Sequence, residues 1–316
     1  MTVRPLGVNA SPIDGRTVSV SPWTRFWRRN GSGYAMLSPW LIGFFGLTIG
    51  PALISLYLSF TDFNLLQAPH FTGTANYVRI FTADEKFLQS LRVTFLFVVF
   101  SVPLKLVFAL AVAALLNRGI KGLPIYRAIF YLPSLLGASV AVAVLWRELF
   151  SGDGLVNKLL ALVGITGPSW ISNPRYSLWT LILLSVWQFG SPMIIFLAGL
   201  RQIPHDVYEA AAIDGAGRGR QFWSITLPLL TPVIFFNAVI QTIDAFKSFT
   251  PAFIISGGTG NPINSTLFYT LYLYQEAFGF FRMGYAAALA WILLVIIAIF
   301  TGISFLTSRY WVHYDD

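Results

Sequence analysis

EAAAIDGAGRGRQFWSITLP, residues 209–228, separates two long apolar runs at Ser177–Leu200 and Pro232–Ser256. It is polar, carries both signs of charge and is punctuated by Gly215, Gly217 and Gly219. Working outward from it, the rest of the chain is mostly apolar. Runs at Tyr34–Phe60, Ser90–Asn117, Ile125–Phe150 and Gly284–Ser308 join the two flanking ones. Each of the six reaches the roughly 20 residues a helix needs to cross a bilayer. Barrel strands would be shorter and would alternate, so the pattern predicts an all-α polytopic membrane protein with six transmembrane helices.

Composition agrees. Of 316 residues 56% are hydrophobic and only 11% charged, too few charges to coat a water-soluble globule. The 10 Trp suit membrane interfaces. Cysteine is absent, which excludes disulfides, thiol chemistry and Cys-ligated zinc. His70, His205 and His313 are far apart in sequence, so no metal site is expected.

The net charge of +8 fits a positive-inside bias better than nucleic-acid binding. In a six-span arrangement twelve Lys and Arg fall on one side. They are Arg4, Arg16, Arg25, Arg28, Arg29, Arg118, Lys121, Arg127, Arg201, Arg218, Arg220 and Arg309. Six fall on the other: Arg79, Lys86, Arg92, Lys158, Arg175 and Arg282. The excess predicts both termini, and residues 201–228, in the cytoplasm. Residues 1–33 lack an apolar signal core and are expected to be a cytoplasmic tail, with 34–310 the membrane domain and 311–316 a short tail.

Within the loop, Pro204 suits a helix's first turn, and Asp206 and Glu209 lie near its positive end. The three glycines then break that helix. A second short helix is expected from about Arg220 to Thr226, stopping at Pro228. Taken alone, such a segment could be an amphipathic helix on the membrane face.

Glu209-Ala210-Ala211, Asp214-Gly215-Ala216 and Ile225-Thr226-Leu227-Pro228, at this spacing, resemble the EAA loop of binding-protein-dependent ABC importer permeases. Tyr131-Leu132-Pro133 and Ala277–Ala286 resemble the carbohydrate branch, the maltose- and glycerol-phosphate-type permeases. The likeness covers about residues 34–310. It implies the type I importer permease fold, with the loop as a coupling helix docked on an ATPase subunit. By that resemblance Glu209 makes a charged contact with the ATPase, Ala210 and Ala211 allow close approach, Asp214 belongs to the motif and Gly215 makes the turn. It also implies a second homologous permease, two ATPase subunits that bind ATP and Mg, an extracytoplasmic substrate-binding protein, and a bacterial inner-membrane location. No cofactor is expected in this chain.

Polar residues inside a span are costly and mark a protein interior or a water-filled path. At about 100° per residue, Asn237, Gln241, Asp244 and Ser248 fall within about 60° of arc on the fifth span. Amides and carboxylates on one stripe, with Phe246 and Phe249 for stacking, suit a saccharide. In the fourth span Trp187, Gln188 and Ser191 precede Pro192, which deprives the Gln188 carbonyl of its helical donor and predicts a kink. For both stripes, polar contact between helices is the alternative. Lys247, about 80° off the fifth-span stripe, has two readings: an ion pair with Asp244, or a cation selecting an anionic saccharide such as alginate or another uronate oligomer. Lys105 either pairs with an acid or faces the path.

No P-loop pattern occurs, so ATP hydrolysis is expected in a separate subunit and no enzymatic activity here. An ion-coupled secondary sugar transporter, with Asp244 and Lys247 as coupling groups, is the alternative. A membrane-embedded transferase would want clustered acids or His, and the acids here are scattered.

Overall fold

The computed structural model of the protein describes residues 22–119, 122–137 and 139–313, with side chains from residue 33 onward. Most of the expected N-terminal tail, Lys121 and residues 314–316 lie outside these. Among the described residues the named elements are all helices. The exception to helix and loop is one β-bridge, Thr61 with Phe71.

Residues up to Ile54 form one compact unit. It contains α1 (Pro22–Gly43), which begins inside the stretch expected to be tail, a π-type segment Phe44–Ile49, and the start of α2 (Gly50–Leu58). Gly33–Leu58 is long and apolar enough to cross a membrane, and none of it is buried within the chain. Met36 and Leu47 are 84% and 81% exposed. A helix apolar all round and uncovered is built for lipid or for another protein.

Residues 55–316 form the second unit. Its axis is α4 (Glu85–Leu116), which packs on α8 (Pro174–Trp187), α9 (Gly190–Gln202), α13 (Thr231–Phe246) and α15 (Tyr269–Tyr274). Asp84 starts α4 by accepting from the Phe87 N–H at 3.0 Å. One face of α4 is buried, with Phe87, Ser90, Thr94, Phe97, Ser101, Ala109 and Ala113 recurring at helical spacing. Ala109 and Ala113 are fully buried, and small residues there let neighbouring helices come close. The Thr94 hydroxyl accepts from the Tyr269 N–H at 2.8 Å, satisfying an orphan donor at the start of α15.

The expected spans are present, three of them as single helices and three bent or broken. The third, expected to be continuous over Ile125–Phe150, instead divides into α5 (Leu123–Leu136) and α6 (Val140–Leu149), which meet at 95°. The fourth bends by 43° between α8 and α9, at the kink expected from Pro192. In the fifth, α13 ends at Phe246 and α14 (Thr250–Ile255) continues. The last is α16 (Met283–Ser308).

A polar knot ties the beginning of α4 to α15 and α16. The second Asp84 carboxylate oxygen accepts from Tyr272 at 2.5 Å and from Tyr285. Burial, and then the hydrogen bond to this carboxylate, raise the Tyr272 phenol above its usual range and keep it a donor. Beside it the buried Glu276 pairs with Arg282 at 3.1 Å. Gly284 donates to the Phe63 carbonyl at 2.9 Å, and a Cβ there would overlap the Thr61 carbonyl oxygen, so only glycine fits.

Candidate functional site

The loop at 201–228 folds into a braced knob. Helix α10 (His205–Ile213) carries Glu209, Ala210 and Ala211. It closes in a Schellman turn: Ala216 N–H donates to Ala211 at 2.8 Å and Gly215 N–H to Ala212 at 3.0 Å. Gly215 sits at φ +78, the left-handed conformation glycine adopts without penalty. Gly217 and Gly219 do not share this role, because both have ordinary backbone and open space around them.

The chain then runs through α11 (Arg218–Gln221), a π-type segment Phe222–Thr226 and α12 (Leu227–Leu229), passing through Pro228 rather than stopping there. Gln221 donates to the Ala216 carbonyl at 3.0 Å, and Tyr208 bonds Thr226 at 2.9 Å, joining the two halves. Glu209, Ala210, Asp214 and Gly215 are exposed on the knob, whereas Ala211 is half-buried against it. Glu209 bonds His205 at 2.9 Å. Ile213 and Trp223 are exposed apolar residues of the knob, 87% and 68% accessible, that charge and motif reasoning passes over.

The knob is continuous with the fifth span through a 64° bend between Arg218–Leu229 and Thr231–Ile255. Leu230 at the bend is buried, and a Cβ on Gly199 of α9 would come within 2.9 Å of Leu230 and Val233. Thr231 donates to Pro228 at 2.6 Å and accepts from the His313 N–H at 2.9 Å. The knob thus meets α13 with only Leu230 between them, and α13 packs on α9.

Further along α13 lies a cavity of about 490 Å³, within the range of small-molecule sites. Its polar lining comes from Gln241, Asp244, Lys247 and Ser248 of the fifth span, Lys105 of α4, and Ser134, Ser185, Gln188 and Ser191 of the third and fourth. Gly137 and apolar residues such as Phe97, Leu184 and Phe249 lie among them. The freed Gln188 carbonyl accepts from the Ser134 hydroxyl at 2.9 Å, which in turn accepts from the Ser191 N–H at 3.0 Å. The Gln188 side chain fills the break in the third span, donating to the Gly137 carbonyl at 3.0 Å, and a Cβ on Gly137 would overlap it. Asp244 and Lys247 pair at 3.4 Å. Among the described residues Lys105, Gln241 and the Ser248 hydroxyl make no side-chain hydrogen bond or ion pair to the protein.

Not every expected lining residue arrives. Asn237 is fully buried one turn from Gln241, donating to Val233 at 3.2 Å in its own helix. Trp187 turns from the cavity toward Trp146, with centroids 5.9 Å apart. Phe246 is core, packed on Phe300 at 5.2 Å, while Phe249 does line the cavity, against Phe253 and Tyr274. Lys247 and Ser248 reach the cavity from beyond the end of α13 at Phe246, where helical angles no longer apply. Sequence reasoning misses Ser134, Gly137 and Ser185. Ser134 adjoins Pro133, the one local hint of a kinked element there. It also misses Asp84, although an Asp just before a long apolar run is a capping signal.

The model of the family described as binding-protein-dependent transport system inner membrane component matches residues 77–310. The probable ABC transporter permease YesP of Bacillus subtilis is 56% identical over 91% of this chain and 93% of its own length. The lactose transport permease LacF of Rhizobium radiobacter is 34% identical over 93% of this chain and 98% of its own. In fold, the chain is similar to a solved bacterial ABC transporter involved in import of the acidic polysaccharide alginate. There the TM-score is 0.74 at 22% identity, over 92% of this chain and 99% of that one. A bacterial alginate ABC transporter in complex with an alginate pentasaccharide-bound periplasmic protein gives a TM-score of 0.75 at 23% identity, covering 90% and 96%.

Proposed function

The chain belongs to the family of inner membrane components of binding-protein-dependent transport systems, with the type I importer permease fold, and we propose that it translocates an oligosaccharide through the cavity beside α13. It is a multi-pass ABC importer permease of the sugar-transporting kind. Both termini and the knob lie in the cytoplasm, a placement supported by the Lys and Arg excess. Two ATPase subunits bind ATP and Mg, and one of them receives α10. Glu209 meets it as a charge, Ala210 as a small surface, and Ile213 and Trp223 as apolar contacts. A second permease completes the path, and an extracytoplasmic binding protein delivers the saccharide.

One observation carries this reading: the braced knob continues, through the bend at Leu230, into the helix that presents Gln241 and Asp244 to the cavity. Amide, hydroxyl and ammonium groups without protein partners are what a polyol displaces water to reach. Two cavity lysines against one aspartate favour a saccharide with carboxylates, such as alginate or another uronate oligomer. The lysines also support a role for Lys247 on the path while it stays paired with Asp244.

The experiment is reconstitution into liposomes with the ATPase, companion permease and binding protein. ATP-driven saccharide uptake that needs all of them is the expected result. Uptake by this chain alone on an ion gradient would instead establish the secondary-transporter reading, with the Asp244–Lys247 pair as coupling groups.

A further inference from the structure

Lys247 and Lys105 line the same cavity in different states. Lys247 caps the end of α13 and is held by Asp244, three residues back, at 3.4 Å. Lys105 comes from α4, about 17 Å from the Leu116 end at 1.5 Å per residue, well inside a helix long enough to cross the bilayer. It makes no side-chain hydrogen bond or ion pair within 4 Å among the described residues, and feels the Asp244 charge only from farther across the cavity. An ammonium at such depth is costly, and an intramembrane cation that faces a cavity without a directly bonded anion marks a ligand path.

Resting on the reading of this cavity as a saccharide site, we infer that Lys105 is the residue that selects acidic saccharides, by pairing with one uronate carboxylate. Lys247 is less suited to that role, because its ammonium is already bonded to Asp244 at 3.4 Å. Lys105 makes no such direct bond, Asp244 acting on it only from beyond ion-pair distance. The lining carries two ammonium groups and one carboxylate, so a single substrate carboxylate completes neutrality. Asp244, held by Lys247, remains an acceptor for sugar hydroxyls and repels a second carboxylate from that wall. A neutral sugar leaves Lys105 without a directly bonded anion. Sites that offer a buried polar group discriminate steeply against ligands that cannot answer it.

The experiment uses the purified permease–ATPase assembly in nanodiscs, without binding protein, so that the cavity alone is read. Calorimetry compares a triuronate with the same trisaccharide after reduction of its carboxylates to alcohols. The wild-type assembly should bind the triuronate at least about tenfold more tightly. Lys105→Met should bring the ratio close to one and Lys105→Arg should restore most of it. Removing a charge eases membrane insertion, so Lys105→Met is expected to assemble; Lys105→Gln is the second variant if it does not. Lys247→Met should weaken both ligands alike and keep the ratio. A ratio that survives Lys105→Met and collapses in Lys247→Met overturns the inference while leaving the acidic-saccharide reading intact. Equal wild-type binding of both ligands overturns the acidic class, and binding of neither overturns the saccharide site itself.

Discussion

In the knob a few partly buried polar groups bond one another across its two halves; in the cavity Gln241, Ser248 and Lys105 make no side-chain bond. Tyr208 meets Thr226, Gln221 meets Ala216, and the end of α10 is closed by its own backbone. Glu209, Ile213 and Trp223 stay exposed on the knob. Along α13 the opposite holds. Gln241, Ser248 and Lys105 face space, and the bonded groups, Ser134 with Gln188 and Ser191, hold the walls rather than fill the site. A part that transmits force benefits from internal satisfaction. A part that binds a hydrated ligand benefits from groups that trade water for substrate.

Substitution of the glycines separates the two regions. The cavity end depends on space: a Cβ on Gly190 would lie 2.6 Å from the Phe130 carbonyl oxygen and 2.7 Å from the Tyr131 Cα. Backbone cannot step aside easily, so Gly190→Ala is expected to cost about 1–3 kcal/mol and to lower the thermal midpoint in detergent clearly. Ser134→Ala comes next. It strips the Gln188 carbonyl and the Ser191 N–H of their shared partner, with an expected cost of about 1–3 kcal/mol where water does not substitute. Saccharide affinity should fall with stability, measured on the same sample.

The knob depends on conformation instead. Gly215→Ala has open space but must hold φ +78, so about 1–2 kcal/mol is expected, felt as fraying of α10 in hydrogen exchange and not as lost saccharide affinity. Gly217→Ala, with φ −67 and open space, should change stability by no more than about 0.5 kcal/mol. Equal effects at Gly215 and Gly217 would break the distinction.

The same contrast governs how much of each region can be read from sequence. The knob lies in one continuous stretch, residues 201–228, and its turn is a local hydrogen-bond pattern that Gly215 signals directly. The spans are legible because lipid demands unbroken apolar length. The cavity draws on stretches far apart in the chain, and periodicity reports only one coordinate of it. Asn237 has the right azimuth and the wrong depth. Carrying helical angles past Phe246 puts Lys247 about 80° off the stripe, although the helix has already ended. The division of the third span at Gly137 is invisible locally, because the Gln188 side chain that occupies it lies 51 residues away. Pro192, by contrast, acts on its own helix, and its kink is readable.

The central claim is that the knob drives the cavity helix. Its most direct test is Glu209→Lys in the fully reconstituted importer, with saccharide uptake and binding-protein-stimulated ATP hydrolysis measured together. The expected result is loss of both by well over tenfold, from an exposed residue that touches no cavity lining. Uptake and stimulated hydrolysis at wild-type rates would contradict the account.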